Sequence, residues 1–130
     1  MSNRITSVSR IPITIILNSD IRIEGELIRF LSPLTVRRIV NNLPISQLIN
    51  NFQNKFLYIK LDLGIGVEKP LNKFKKGDIA FSPLLNSICI FIEDYIHNQQ
   101  FTHIGYIKDE RLNELFKTKT GDILTIEKAN

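Results

Sequence analysis

The sequence predicts a mainly β domain, a barrel closed on itself with two helices capping its ends. Three observations carry this reading. Isoleucine is frequent, and apolar residues recur at every second position in several segments, the period of a strand with one buried face. Two segments place apolar residues at helical spacing instead. The breaks between segments are mostly short, and a sheet of such neighbours loses its exposed edges by closing.

Taken in order, IPITIILN puts Ile11, Ile13, Ile15 and Leu17 on one face, Asn18, Ser19 and Asp20 make a turn, and DIRIEGELI returns. In that second strand Ile21, Ile23, Gly25 and Leu27 share a face opposite Arg22, Glu24 and Glu26, so the pair reads as an antiparallel hairpin with one wet side. The period changes in SPLTVRRIVNNLP, where Val36, Ile39, Val40 and Leu43 fall on one helical face. Ser32 is placed to cap this helix, Pro33 suits its first position and Pro44 stops it, leaving Arg37, Arg38, Asn41 and Asn42 to water. After a turn at Asn51 to Lys55, Leu57, Ile59, Leu61 and Leu63 alternate with Phe56, Tyr58, Lys60 and Asp62. Bulk on both faces predicts a strand covered on both sides for part of its length.

GIGVEKPLNKFKKGD reads as a loop-rich connection, and Asp78–Phe81 and Ser87–Ile92 as a hairpin turning at SPLLNS. DYIHNQQF reads as a polar excursion and THIGYI as a short strand. DERLNELFK is a second helix capped by Asp109, with Leu112, Leu115 and Phe116 on its apolar side and Lys117 at its end. TGDILTIEK is the last strand.

A chain of 130 residues makes one domain, 1–130, large enough to fold without metal or disulfide; residues 1–9 are expected to be loosely attached. Cys89 is the only cysteine, which fits a reducing compartment. MSNRITSVSR has no apolar signal core, and no apolar run reaches the roughly 18 residues of a membrane span. A cytoplasmic protein without a membrane partner is expected. The net charge of +4 is spread along the chain rather than gathered in a stripe with aromatics, so nucleic acid is not the expected partner.

Chemistry-bearing clusters are sparse. Glu93, Asp94 and His97 are metal-binding types, but nothing in their spacing sets a coordination geometry. Cys89 beside His97 or His103 suggests a nucleophile and base, yet a cysteine within ICIF reads first as a small buried hydrophobe. GIG at Gly64–Gly66 lacks the helix start that a phosphate loop needs. No metal or cofactor is expected.

Four stretches in order resemble the cyclophilins. SPLTVRRIVNNL is similar to their first helix through Pro33, Thr35, Val36 and Ile39; KKGDIAFSP and NSICIFI resemble successive strands; HIGYIKDERLNELF resembles a strand running into the second helix. GVEKP, KKGDIAFSP and NSICIFIED give a closer similarity to the small atypical cyclophilin-like proteins of archaea and bacteria. The resemblance implies a closed barrel of about eight strands with two helices.

It also implies a chemistry to test for. Cyclophilins accelerate rotation about Xaa-Pro bonds, whose barrier is about 20 kcal/mol, by donating a hydrogen bond to the proline nitrogen and gripping its ring in an apolar pocket. The family's pattern supplies an arginine from the strand after the first helix and usually a tryptophan. This chain has no arginine between Arg38 and Arg111 and no tryptophan at all. The family's aromatic pair aligns with Cys89 and Ile90, and its histidine falls near Phe101, with His103 two residues on.

The residues left to wall such a site are Phe81, Ile90, Phe101 and His103, with Gln47 or Gln53 as polar contacts. Ile88, Ile90 and Ile92 read first as barrel core, and Phe91 should face away from Ile90. The expected function is binding of an Xaa-Pro peptide or small molecule with little or no isomerase activity. The alternatives are an isomerase with a non-standard site and a self-associating structural module, a homo-oligomer.

Overall fold

The computed structural model describes residues 9–129; the expected loosely attached stretch, residues 1–9, lies outside them apart from Ser9. The first hairpin is formed by β1 (Arg10–Leu17) and β2 (Ile21–Ile28), antiparallel, with Ile15 opposite Ile23. Asn18 and Ser19 turn it at φ 51° and 60°, the left-handed region that short polar side chains tolerate. The Asn18 amide and side chain then exchange bonds with the Ile123 main chain, both 2.9 Å, which fastens this turn to the last strand.

Helix α1 (Pro33–Val40) buries Thr35, Val36, Ile39 and Val40 and leaves both arginines outside, as its apolar spacing predicts. The capping role expected of Ser32 is not filled by its hydroxyl. Ser32 is fully buried and donates instead to the His103 carbonyl oxygen at 2.7 Å.

Beyond α1 come β3 (Ile45–Leu48), β4 (Asn50–Phe52), β5 (Phe56–Lys60), β6 (Leu71–Phe74), β7 (Asp78–Ser82), β8 (Ser87–Phe91) and β9 (Tyr95–Ile107). A 3₁₀ helix at Glu110–Lys117 is the expected second helix, and β10 (Ile123–Lys128) completes the sheet. Two strands depart from the sequence reading. The loop-rich connection contains β6, and the polar excursion DYIHNQQF is the first half of the 13-residue β9. Both are wet on one face and polar in composition, so neither carries an apolar alternation.

All pairings are antiparallel, in the order β3-β10-β1-β2-β9-β7-β8-β5-β4, with β6 added on β9. The expected barrel of about eight strands is thus corrected to ten strands in an open ladder. The ladder ends, β3 and β4, are not paired with each other; they are successive pieces of one stretch, parted at Ile49, whose N–H turns to the Asp122 carbonyl at 2.7 Å. One stretch thus supplies both end strands, Ile45–Leu48 on β10 and Asn50–Phe52 on β5.

The sheet carries a core on each face. Alternation in β5, β7 and β8 sends Leu57, Ile59, Ile79, Phe81, Ile88 and Ile90 to the larger, aliphatic core, where both helices also bury Val36, Ile39, Leu112 and Leu115. The intervening Phe56, Ala80, Cys89 and Phe91 enter an aromatic core with Phe74 of β6 and Phe101 of β9. Every residue of β7 and β8 is therefore buried. Phe116, expected on the apolar side of the second helix, is instead half-exposed under the Lys76 ammonium, 4.5 Å from the ring centre.

Asp109 caps that helix as expected, accepting from the Arg111 N–H at 2.9 Å, and it also accepts from the Glu24 N–H of β2 at 3.0 Å. The Glu24 amide, helped by Arg111 against the cost of burial, draws its carboxyl down to about 2.

Candidate functional site

The residues named from sequence are not brought together. Phe81 and Ile90 lie in the aliphatic core, Phe101 in the aromatic core on the opposite face, all at most 1 % exposed. His103 is partly buried, edge-on to Phe74 and Tyr106, with Nε2 3.1 Å from the Gly105 oxygen and 3.6 Å from Asp78. Gln47 is exposed on β3 opposite Leu124, and Gln53 sits at φ 50° in the exposed turn between β4 and β5. None of these six side chains lines the pocket beside α1. The SPLLNS hairpin they were expected to flank is filled on both faces.

The remaining clusters diverge as well. Glu93 pairs with Lys55 at 3.2 Å, Asp94 accepts from the Lys76 N–H at 2.9 Å, and His97 turns its ring among Phe52, Phe56, Tyr95 and Phe101. Burial there lowers the His97 pKa, and its Nδ1 accepts from the Gln99 N–H at 2.8 Å. The Cys89 thiol is fully buried, and burial pushes its pKa far above the range of a working thiolate.

An open pocket lies elsewhere, between α1 and the segment Ile65–Glu68. Gly64, at φ 62°, turns the chain out of β5's extension, and the next four residues run past the first turns of α1. The pocket between them has a volume of about 420 Å³ and is lined by Leu34, Thr35, Arg37, Arg38 and the residues from Ile65 to Glu68. Its apolar walls reach solvent, with Leu34 65 % and Val67 38 % exposed.

Glu68 holds this arrangement. Its carboxylate accepts from the Leu34 N–H at 3.2 Å and from the Thr35 N–H and hydroxyl, each at 2.9 Å, so it caps α1 from 33 residues away. Its own N–H donates to the buried Thr102 hydroxyl at 2.8 Å. Burial opposes the charged form, but these donors, with Lys69 nearby, outweigh it and leave the Glu68 pKa below the usual carboxylate value. A carboxylate so saturated is a poor proton acceptor, and the Thr35 hydroxyl is spent on it.

This cap gives a pH dependence. A folded pKa below the unfolded one adds stability that is complete above the unfolded value and is lost as pH falls through the folded value. Glu68→Ala is expected to lower stability by about 1–2 kcal/mol at neutral pH, as loss of a helix cap does. The difference between variant and parent should shrink below about pH 4.5, the ordinary value for this carboxyl. Urea unfolding of both proteins from pH 7 to pH 3 checks it; a difference independent of pH would show that the carboxylate charge contributes nothing.

Arg38 and Arg37 line one side of the pocket. Arg38 donates from Nη2 to the Leu63 carbonyl at 2.7 Å. Arg37 is exposed, and its side chain has no hydrogen bond or ion pair among the described residues. Sequence reasoning read both arginines as solvent-facing on the wet side of α1, and nothing in the pattern joins Glu68 to a helix so distant along the chain.

A family model described as cyclophilin-like matches residues 11–127, nearly the whole length of the fold. The chain belongs to the cyclophilin-like family. Two among the solved structures similar to it illustrate the shared architecture. One is the hypothetical protein AF2241 from Archaeoglobus fulgidus, solved in solution, with a TM-score of 0.74 at 23 % identity over 93 % of this chain and 96 % of that one. The other is McbB in complex with tryptophan, with a TM-score of 0.75 at 15 % identity over 88 % of this chain and 44 % of that one. No curated protein matches the sequence. The cyclophilin-like resemblance read from the motifs therefore stands, and with it a small, atypical member of the family. At these identities the likeness is one of fold. No helix among the described residues is long and apolar enough to cross a membrane.

Proposed function

We propose that this cyclophilin-like protein is a binding module for a short extended peptide or a small ligand, without proline-isomerase chemistry. The observation that carries the reading is an apolar pocket open to solvent beside α1. The positions that match the family's proline-gripping residues are closed core, whereas the α1 pocket offers Leu34, Ile65 and Val67 as apolar walls open to solvent. No arginine stands on β3, β4 or β5, where the family's pattern would place the donor to the proline nitrogen. The two arginines at the pocket belong to α1, and the pocket's acid is committed to the helix.

The test is NMR of labelled protein with a short Xaa-Pro peptide, following protein shifts and peptide cis–trans exchange together. Shifts are expected at Leu34–Arg38 and Ile65–Glu68, with the exchange rate of the peptide unchanged. Enhanced exchange would overturn the non-catalytic reading, and shifts confined to Phe101, His103 and their neighbours would move the site to the proline position.

A further inference from the structure

We infer that the α1 pocket selects ligands in which a carboxylate lies next to an apolar group, and that Arg37 reads the carboxylate; this rests on the binding reading above. The argument is one of uncommitted groups. Three charged side chains line the pocket. Glu68 is engaged by three donors from Leu34 and Thr35, so most of its accepting capacity is committed to the helix. Arg38 spends part of its fork on the Leu63 carbonyl. Arg37 alone brings a whole guanidinium with no partner among the described residues.

The α1 N-terminus does not compete for the anion, because Glu68 already holds the Leu34 and Thr35 amides. The free charge of the pocket is therefore positive and sits on the second turn of the helix. A guanidinium presents parallel N–H donors that match the two oxygens of a carboxylate, a geometry an ammonium lacks.

The remaining walls set the rest of the ligand. Leu34, Ile65 and Val67 are aliphatic, and Gly66 leaves open space where a side chain would stand, with nothing within 4 Å of its Cβ direction. A volume of about 420 Å³ is near the low end for ligand sites, which suits an amino-acid-sized acid or the last two residues of a peptide. A small apolar acid and a peptide C-terminus present the same chemistry to Arg37.

The experiment titrates labelled protein with N-acetyl-leucine, with N-acetyl-leucinamide, and with a short leucine-ending peptide in its free-acid and amidated forms. The acids should shift the amides of Leu34–Arg38 and Ile65–Glu68 and bind roughly tenfold more tightly than their amides. Arg37→Gln should bring acid and amide to equal affinity while the rest of the spectrum stays in place, and Arg37→Lys should recover part of the preference. Preference for the free-acid peptide alone would assign the site to chain ends, and preference for N-acetyl-leucine alone to small acids; equal preference in both series would show that the carboxylate and its neighbouring side chain suffice. Equal binding of acid and amide, or a preference that survives Arg37→Gln, overturns the inference and leaves the binding reading standing. If none of the four probes shifts the pocket, both fall.

Discussion

Phe56→Ala is expected to cost about 3–5 kcal/mol of unfolding free energy, a large part of the roughly 5–15 kcal/mol that native domains have. Phe56 is fully buried at the centre of the aromatic core. Its ring stacks on Phe52 at 4.8 Å and meets Phe91 at 5.1 Å and Phe101 at 5.7 Å. Truncation removes these contacts, and the neighbours are poorly placed to follow. Phe91 is stacked on Phe74 at 4.5 Å, and its backbone is locked in the β5–β8 ladder directly opposite residue 56. The cavity should therefore persist, which puts the loss at the high end for a large-to-small change. Urea denaturation of the variant measures it. A loss below about 1.5 kcal/mol would mean that the aromatic face closes over the gap and is softer than its packing implies.

Gly105→Ala is expected to be of similar severity for a different reason. A Cβ at Gly105 would run into the main-chain carbonyl of Glu26 on β2. That carbonyl belongs to the short β2–β9 pairing in which Leu27 faces Gly105 and Gly25 faces Ile107. Among the described residues it is the strand pairing that joins the β3-β10-β1-β2 part of the ladder to the part running from β9 to β4. A backbone atom there cannot swing aside as a side chain would, so relief requires parting the two strands. Overpacking of this kind costs about 1–3 kcal/mol, and loss of a ladder junction adds to it. Gly66→Ala is the control, since a Cβ there meets nothing within 4 Å and Gly66 is not at positive φ. If thermal unfolding finds the Gly105 variant within 0.5 kcal/mol of the control, the junction is not the constraint described.

Much of the fold is legible in the sequence because burial imposes a period. The Ile13, Ile15 and Leu17 alternation, the Val36–Ile39–Val40 spacing and the opposed faces of Ile90 and Phe91 all read correctly. What escapes is structure held by backbone pairing alone. In β6, Asn72 and Lys73 are exposed and only Phe74 is buried, so the segment looks like a loop until β9 lies beside it. The open ladder escapes for a related reason: no residue type announces that Ile45–Phe52 will be divided between two edges.

The site is less legible than the fold. Phe81, Ile90 and Phe101 have the composition of a ligand wall, but an aromatic or aliphatic strand residue is the same word whether it lines a pocket or fills one. Arg37 reads as a solvated charge, and it is one; its meaning comes from Val67 and Ile65 standing across from it, placed there by Gly64 and the Glu68 clasp. Ser32 shows the converse, a sequence-perfect cap whose hydroxyl serves the His103 carbonyl while a distant glutamate does its work.

The complete burial of β7 and β8 bears on how this protein can change over evolutionary time. A central hairpin enclosed by two cores has no face to spare, so a mutation that altered recognition there would also threaten folding. Leu34, Arg37 and Val67 stand outside that constraint, on one exposed helix face and one short segment. Under the binding proposal, substitutions at this periphery can change what is recognised while the centre stays fixed.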